Sequence, residues 1–307
     1  MSSPKAGSRE LIIRLLPLNM INRRQLLQRG LLTAGALSLG EAIKATELLS
    51  APFNDQTFRH SACRWCYQDI PLEALAERGK DVGLQSIELL KPDEWPIVQA
   101  KGLGCAVATD QFASITDGFN TRKNHAALQA AYPALIRAAA DTGIPNVICF
   151  SGNRRGIKDR KGLDNCARGL APLVKLAEEA GVTLVMELLN SRVDHEDYMA
   201  DRTEWGIALV DKIGSPNFRL LYDIYHMQIM EGNLIQNIRD YHSYIAHYHT
   251  GGVPGRREIN ANQEINYPAV VQAIAATGYE GYIGQEFIPS YDDKISALEE
   301  GLQICSL

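Results

Sequence analysis

From Thr57 onward, short runs of apolar and β-branched residues alternate with longer stretches of helical pattern, and the alternation occurs eight times. The apolar runs are 57–63, 86–90, 105–109, 146–150, 183–187, 218–223, 245–249 and 282–286. Helical stretches between them include 71–82, 120–142, 163–180, 203–213 and 267–277, with Gly143, Gly181, Gly214 and Gly278 standing where a helix would stop. A strand covered by helices on both faces is nearly all apolar, and these runs have that character. Eight such units in about 250 residues, with no glycine-rich dinucleotide fingerprint after the first run, predict an α/β fold. The expected architecture is a single-domain (β/α)8 TIM barrel over residues 51–307, and a chain of 307 residues that is 46% apolar can fill such a core.

The last four runs end on ionisable residues: Glu187, Asp223, His249 and Glu286. An ionisable group at the carboxyl end of a buried strand costs desolvation unless another charge or a metal compensates it. The separations of 36, 26 and 37 residues (223−187, 249−223, 286−249) each fit one βα unit, so adjacent strands would bring all four to the carboxyl-terminal mouth. Three carboxylates and one imidazole form an oxygen-rich, one-nitrogen donor set, which suits a divalent metal: Mn2+ first, with Mg2+ and Co2+ as alternatives. The residues two positions earlier, Val185, Leu221, His247 and Gly284, should point into the barrel one layer below. His247 is the odd one, either a donor behind the site or a satisfied core histidine.

A net charge of −5 gives no basic footprint, which excludes nucleic acid as a partner and favours a small-molecule sugar or keto-acid substrate, with a homo-oligomer possible. Six cysteines in a chain this long do not form a disulfide scaffold, and the pair Cys63 and Cys66 has no second pair to complete a zinc site. Residues 1–50 read as a leader. Asn22-Arg23-Arg24-Gln25-Leu26-Leu27 precedes an apolar stretch at 30–40 that is too short to span a bilayer, so no integral membrane span is expected. The consecutive arginines resemble a twin-arginine export signal, which implies a periplasmic location, with the cytoplasm as the alternative. The candidate cleavage site is 42–45, and Met20 is a second candidate start.

Five segments carry a further likeness: Glu187-Leu-Leu-Asn190-Ser-Arg192, Tyr222-Asp223-Ile-Tyr-His226-Met, Ile245-Ala-His-Tyr-His249 with Pro254-Gly255-Arg256, Glu264-Ile-Asn266-Tyr267, and Gly278-Tyr-Glu-Gly281-Tyr-Ile-Gly-Gln-Glu286. At these positions the chain resembles the hydroxypyruvate isomerase family and, more broadly, the xylose-isomerase-like barrels that include ketose 3-epimerases. The likeness implies a metal-dependent isomerase that interconverts an aldehyde/ketone pair through an enediolate. Glu187 and Glu286 would be the two proton-transferring carboxylates as well as metal ligands, with Asp223 and His249 completing the ligand set. Where hydroxypyruvate isomerases look to have glutamine, this chain carries His249, as ketose 3-epimerases do, so an epimerase is the near alternative. Asn190, Arg192, His226 and Arg256 are candidates for substrate binding, His226 from a loop over the mouth. In the first half, Glu88 at a strand end and Trp65 as an apolar wall are further candidates, while Arg122 and His125 read as structural. From other classes, an endonuclease-IV-like hydrolase needs more metal ligands than seven histidines and this acidic surface supply, and a non-catalytic sugar-binding barrel would not need both glutamates.

Overall fold

The structure, a computed structural model, describes residues 58–306. The leader, its cleavage site and the boundary at 50/51 lie outside the described residues. Eight strands run β1 Arg59–Cys63, β2 Ser86–Glu88, β3 Val107–Ala108, β4 Asn146–Cys149, β5 Thr183–Leu188, β6 Phe218–Asp223, β7 Ile245–Thr250 and β8 Tyr282–Gln285. They form one parallel sheet in the order β2-β1-β8-β7-β6-β5-β4-β3. Parallel bridges Ser86–Gly104 and Leu90–Ala108 join β2 to the β3 region and close the cylinder, with Leu89 N–H donating to Val107 O at 2.8 Å. This is the (β/α)8 barrel expected of the alternation.

The surrounding helices are α1 Leu72–Asp81, α2 Trp95–Ala100, α3 His125–Thr142, α4 Asp159–Ala180, α5 Thr203–Ile213, α6 Ile224–Met230, α7 Leu234–Tyr241, α8 Tyr267–Ala275 and α9 Lys294–Ile304. α4 buries Leu170, Leu173, Val174 and Ala177, the 3.6-residue stripe of a helix laid on the barrel. Each leucine so buried contributes about 1.5–3 kcal/mol relative to exposure. α3 and α4 both stop at a glycine in the left-handed region, Gly143 at φ 75° and Gly181 at φ 69°, where a side chain would be strained. Among the described residues no helix is long and apolar enough to cross a membrane.

Several boundaries differ from the sequence pattern for local reasons. β3 is two residues long because Ala106 N–H is taken by Ser86 Oγ at 2.7 Å instead of a strand partner. α3 begins at His125, not 120, because the Asn120 side chain is drawn away to Gly152 O and Asn153 O at 3.1 and 2.7 Å. Residues 224–230, expected as a loop, form α6. The Asp223 side chain caps this helix by accepting from His226 N–H at 3.1 Å.

Strand register delivers the site. Glu187 pairs with Leu221, Asp223 with His249, and His249 with Gly284. The ionisable strand ends therefore climb two residues from β5 to β6, none to β7, and two more to β8. That climb matches the tilt of barrel strands and holds the four side chains near one level along the axis. In the layer beneath, Val185, Leu221 and His247 are buried, as their alternation predicts.

Candidate active site

At the carboxyl-terminal mouth the ligand-type atoms of Glu187, Asp223, His249 and Glu286 all lie within 4.8 Å of one another, and all four residues are buried. Three carboxylates so placed repel one another, and the protein answers with one guanidinium. Arg256 Nη2 donates to Asp223 Oδ2 at 2.9 Å and also to Glu286 Oε2, while its Nε donates to the Glu286 carbonyl at 3.0 Å. Arg256 sits at φ 55°, a left-handed conformation that turns its side chain back into the mouth, where it stacks 5.3 Å from Trp65 and 5.1 Å from Tyr225.

The guanidinium does not reach every group. Glu187 Oε1 and His249 Nδ1 are buried without a hydrogen-bond partner. His249 Nδ1 lies 2.7 Å from Glu286 Oε2 and 3.4 Å from Glu187 Oε1, close in distance but not aligned as a hydrogen bond. A nitrogen lone pair and a carboxylate oxygen left facing each other, beside two more carboxylates, fit a shared divalent cation by the chemistry of the donors. Behind His249, Glu88 Oε1 stands 2.6 Å from His249 Nε2 and 2.8 Å from His247 Nε2. A carboxylate on Nε2 sets the tautomer with the proton there and leaves Nδ1 as the donor atom, the arrangement that orients metal-binding histidines.

Burial and charge separate the acids. Burial raises the Glu187 carboxyl above its ordinary pKa, and repulsion from Glu286 adds to this. Burial works the same way on Glu286, but Arg256 and His249 outweigh it and hold that carboxyl well below the ordinary range. Burial pushes Asp223 up to about 8 despite Arg256, with Glu286 and Glu187 repelling its charge as well. For His249, burial disfavours the charge, yet Cys63 and Glu286 beside it more than compensate, so its pKa is raised.

The other sequence candidates are placed as follows. Trp65 lies at the rim and, beyond forming an apolar wall, donates Nε1–H to Glu286 Oε1 at 2.6 Å. His226 is fully buried on α6, not in a loop, with Nδ1 2.7 Å from Asn190 Nδ2 and Nε2 2.8 Å from Arg256 Nη1. The Asn190 oxygen already accepts from Val193 and Asp194 N–H, so its amide donates to Nδ1 and His226 keeps its proton on Nε2. Nε2 in turn faces Arg256 Nη1, so both ring nitrogens of His226 are packed against donors. Asn190 is therefore a buried brace for His226 and the following loop, not itself at the mouth.

Two more candidates are corrected. Glu88 is fully buried beneath the cluster, held by the two histidines, because its strand β2 ends one layer too low for the mouth. Arg192 is exposed, its Nη1 bonded to Ile229 O at 2.9 Å outside the site, because the chain after β5 turns outward at Asn190. His125 is structural as expected, its Nε2 2.8 Å from Phe119 O. Cys63 and Cys66 are free buried thiols, with Cys63 Sγ donating to Glu88 Oε1 at 3.7 Å. The mouth also contains Leu89, Ile115, Phe150 and His195, which no spacing in the sequence marks. The one available signal was that His195 lies in the loop following β5, eight residues (195−187) beyond a strand-end ligand.

A parallel eight-stranded barrel with an acid-rich, single-imidazole cluster at its carboxyl-terminal mouth defines the class: the chain belongs to the xylose isomerase-like TIM barrel family, whose description matches residues 98–305. Among its relatives is a human protein provisionally named hydroxypyruvate isomerase, 30% identical over 235 residues, or 74% of this chain and 78% of that one. The 2-oxo-tetronate isomerase of Cupriavidus necator is 34% identical over 120 residues, 39% of this chain and 45% of that one. Among solved structures, an AP endonuclease of family 2 from Brucella melitensis has a TM-score of 0.71 at 19% identity, covering 78% of this chain and 97% of that chain. D-Psicose 3-epimerase from Clostridium cellulolyticum H10, solved with D-tagatose, has a TM-score of 0.65 at 18% identity, covering 81% and 100%. At those identities the solved structures speak for the barrel alone.

Proposed function

We propose that the protein is a metal-dependent isomerase of the hydroxypyruvate isomerase type, which moves a proton between neighbouring carbons of a small α-hydroxy carbonyl compound. The observation that carries this is the gathering of Glu187, Asp223, His249 and Glu286 atoms within 4.8 Å at the mouth. The names of the relatives, hydroxypyruvate and 2-oxo-tetronate isomerase, support the same reaction class. The four residues would hold the divalent ion, proposed as Mn2+, and when bound it supplies Lewis-acid stabilisation of the charge that develops on the substrate oxygens.

The chain's own groups supply the proton traffic. Arg256 keeps Glu286 ionised, so it is the base that removes the proton beside the carbonyl. Trp65 and Arg256 hold that carboxylate in place from two sides. Glu187, raised by burial, supplies the proton returned to the adjacent carbon while the substrate's hydroxyl proton passes to the former carbonyl oxygen, and the pair exchange roles in the reverse reaction. His226, buried behind the mouth with Nε2 2.8 Å from Arg256 Nη1 and 3.6 Å from Asp223 Oδ2, positions the guanidinium against the cluster. Ketose 3-epimerisation uses the same two carboxylates, and His249 in place of glutamine is the feature that favours it as a second reading.

The experiment is exchange of substrate carbon-bound hydrogen into D2O, followed by proton NMR, with the Mn2+-loaded full chain and hydroxypyruvate, ketoses and cyclitols. Exchange with an isomeric product supports isomerisation, and exchange with inversion at C3 supports epimerisation. No exchange with any of them rejects both. For the leader we propose twin-arginine export, tested by fractionating cells that express the chain with Arg23 and Arg24 intact or both changed to lysine. Accumulation of both forms in the cytoplasm rejects export.

A further inference from the structure

The mouth opens into a cavity of about 410 Å3 whose two halves differ in chemistry. Glu187, His195, Arg256 and Glu286 line the side built from β5 to β8, beside Leu189 and Trp65, while Leu89, Ala113, Ile115 and Phe150 line the side built from β2 to β4 with no charged group among them. We propose that the substrate's far end, away from the reacting carbons, is carbon-rich: the pocket takes an α-hydroxy carbonyl compound with an alkyl or aryl substituent in preference to an extended polyol or a phosphate ester. The inference rests on the function proposed above and narrows its substrate.

Three observations carry it. The apolar half contains a single side-chain hydroxyl among its lining residues, Thr109, so most hydroxyls of a long sugar would lose water there without a replacement partner. Each such loss costs about 1–3 kcal/mol, which is roughly 5- to 150-fold in binding. Secondly, the lining includes one cationic side chain, Arg256, and it is already shared between Asp223 and Glu286. It can meet an oxygen or a carboxylate at the reacting end but leaves no cation for a phosphate at the far end. His195 does not supply one, since burial, and then Arg256, lower its pKa and leave the imidazole neutral. Thirdly, Leu89 is held at φ 57° just beyond β2, a left-handed conformation that costs a branched side chain about 1–2 kcal/mol. A backbone that turns there places an aliphatic group on the cavity wall, opposite the acids.

The test measures α-proton exchange into D2O by the Mn2+-loaded full chain along two ladders. One extends hydroxyacetone through 1-hydroxy-2-butanone and 1-hydroxy-2-pentanone to 2-hydroxyacetophenone. The other extends dihydroxyacetone through erythrulose to ribulose, with dihydroxyacetone phosphate beside it and hydroxypyruvate as the reference. Along the alkyl ladder kcat/KM should rise about fourfold per CH2, the equivalent of ~0.8 kcal/mol per buried methylene. Along the polyol ladder it should fall, and the phosphate ester should be the poorest probe. Ile115→Asn, at a half-buried loop position, should reduce the ratio between the longest and shortest alkyl probes while circular dichroism stays that of the parent. Ribulose or the phosphate ester exchanging as fast as 1-hydroxy-2-pentanone overturns the inference and leaves the isomerase reading intact. If no probe exchanges, hydroxypyruvate included, the isomerase reading fails. Saturation-transfer NMR binding of the same ladders then decides the inference alone, a binding order that favours polyols overturning it.

Discussion

The Glu187 carboxyl is raised and the Glu286 carboxyl lowered in pKa although they are the same residue type facing one cavity, because only Glu286 is bonded to Arg256 and Trp65. Glu187→Gln and Glu286→Gln keep size and hydrogen-bonding capacity, so each should fold normally yet lose about 10²- to 10⁴-fold in kcat, measured by substrate turnover beside circular dichroism. Turnover near the parent rate in either variant would remove the two-carboxylate scheme. Glu88 acts one step back. Glu88→Gln leaves a hydrogen-bonding group against His249 but removes the charge that fixes its proton on Nε2. Mn2+ affinity, read by electron paramagnetic resonance titration, should weaken about 10- to 100-fold. An unchanged affinity would show that His249 is oriented without Glu88.

β8 carries its part of the site through a residue that contributes no side chain. A Cβ on Gly284 would stand 2.7 Å from Glu88 Oε1 and 2.8 Å from His249 Cδ2, so the strand must be bare there for the carboxylate–imidazole pair to fit. Gly284→Ala should cost about 1–3 kcal/mol in a denaturant melt by overpacking, and it should weaken Mn2+ binding more than it lowers stability. A variant as stable and as tight as the parent would mean that the pair can move freely. α6 shows the same coupling between element and site. Asp223 ends β6, caps the helix that follows and faces the cluster, so one residue joins strand, helix start and donor set.

For the whole molecule, the cluster is a store of unfavourable charge that the proposed cation would relieve. Asp223, pushed up to about 8 by burial, holds a proton in the folded state at pH values where the unfolded carboxyl, near 4, has lost it. Across that window the folded chain binds more protons, so the cation-free protein should lose stability as pH rises towards 8. A raised His249 acts in the same direction, its contribution present below the unfolded histidine value and lost as pH rises through the folded one. Glu286, held low, contributes stability that is lost only in acid. A divalent ion bound there would displace those protons, so Mn2+ should raise Tm more at pH 8 than at pH 6, and chelation should reverse the gain. Scanning calorimetry at the two pH values checks both. An equal gain at the two pH values would show that no proton leaves on binding.

The barrel was legible in the sequence, and so was the end of it at which the ionisable strand ends gather. Eight apolar runs between helical stretches admit few parallel folds, and ionisable residues closing Thr183–Leu188, Phe218–Asp223 and Ile245–Thr250 announce themselves because such positions are costly without a partner. Periodicity carries that information locally. What lies across the barrel has no local signal. That Glu88 meets His249 across 161 residues, that Arg256 folds back over Asp223 and Glu286, and that Leu89 and Phe150 make an apolar wall opposite the acids were decided by tertiary structure. Strand tilt and closure set those distances, and they depend on all eight strands at once, so no single segment of the chain encodes them.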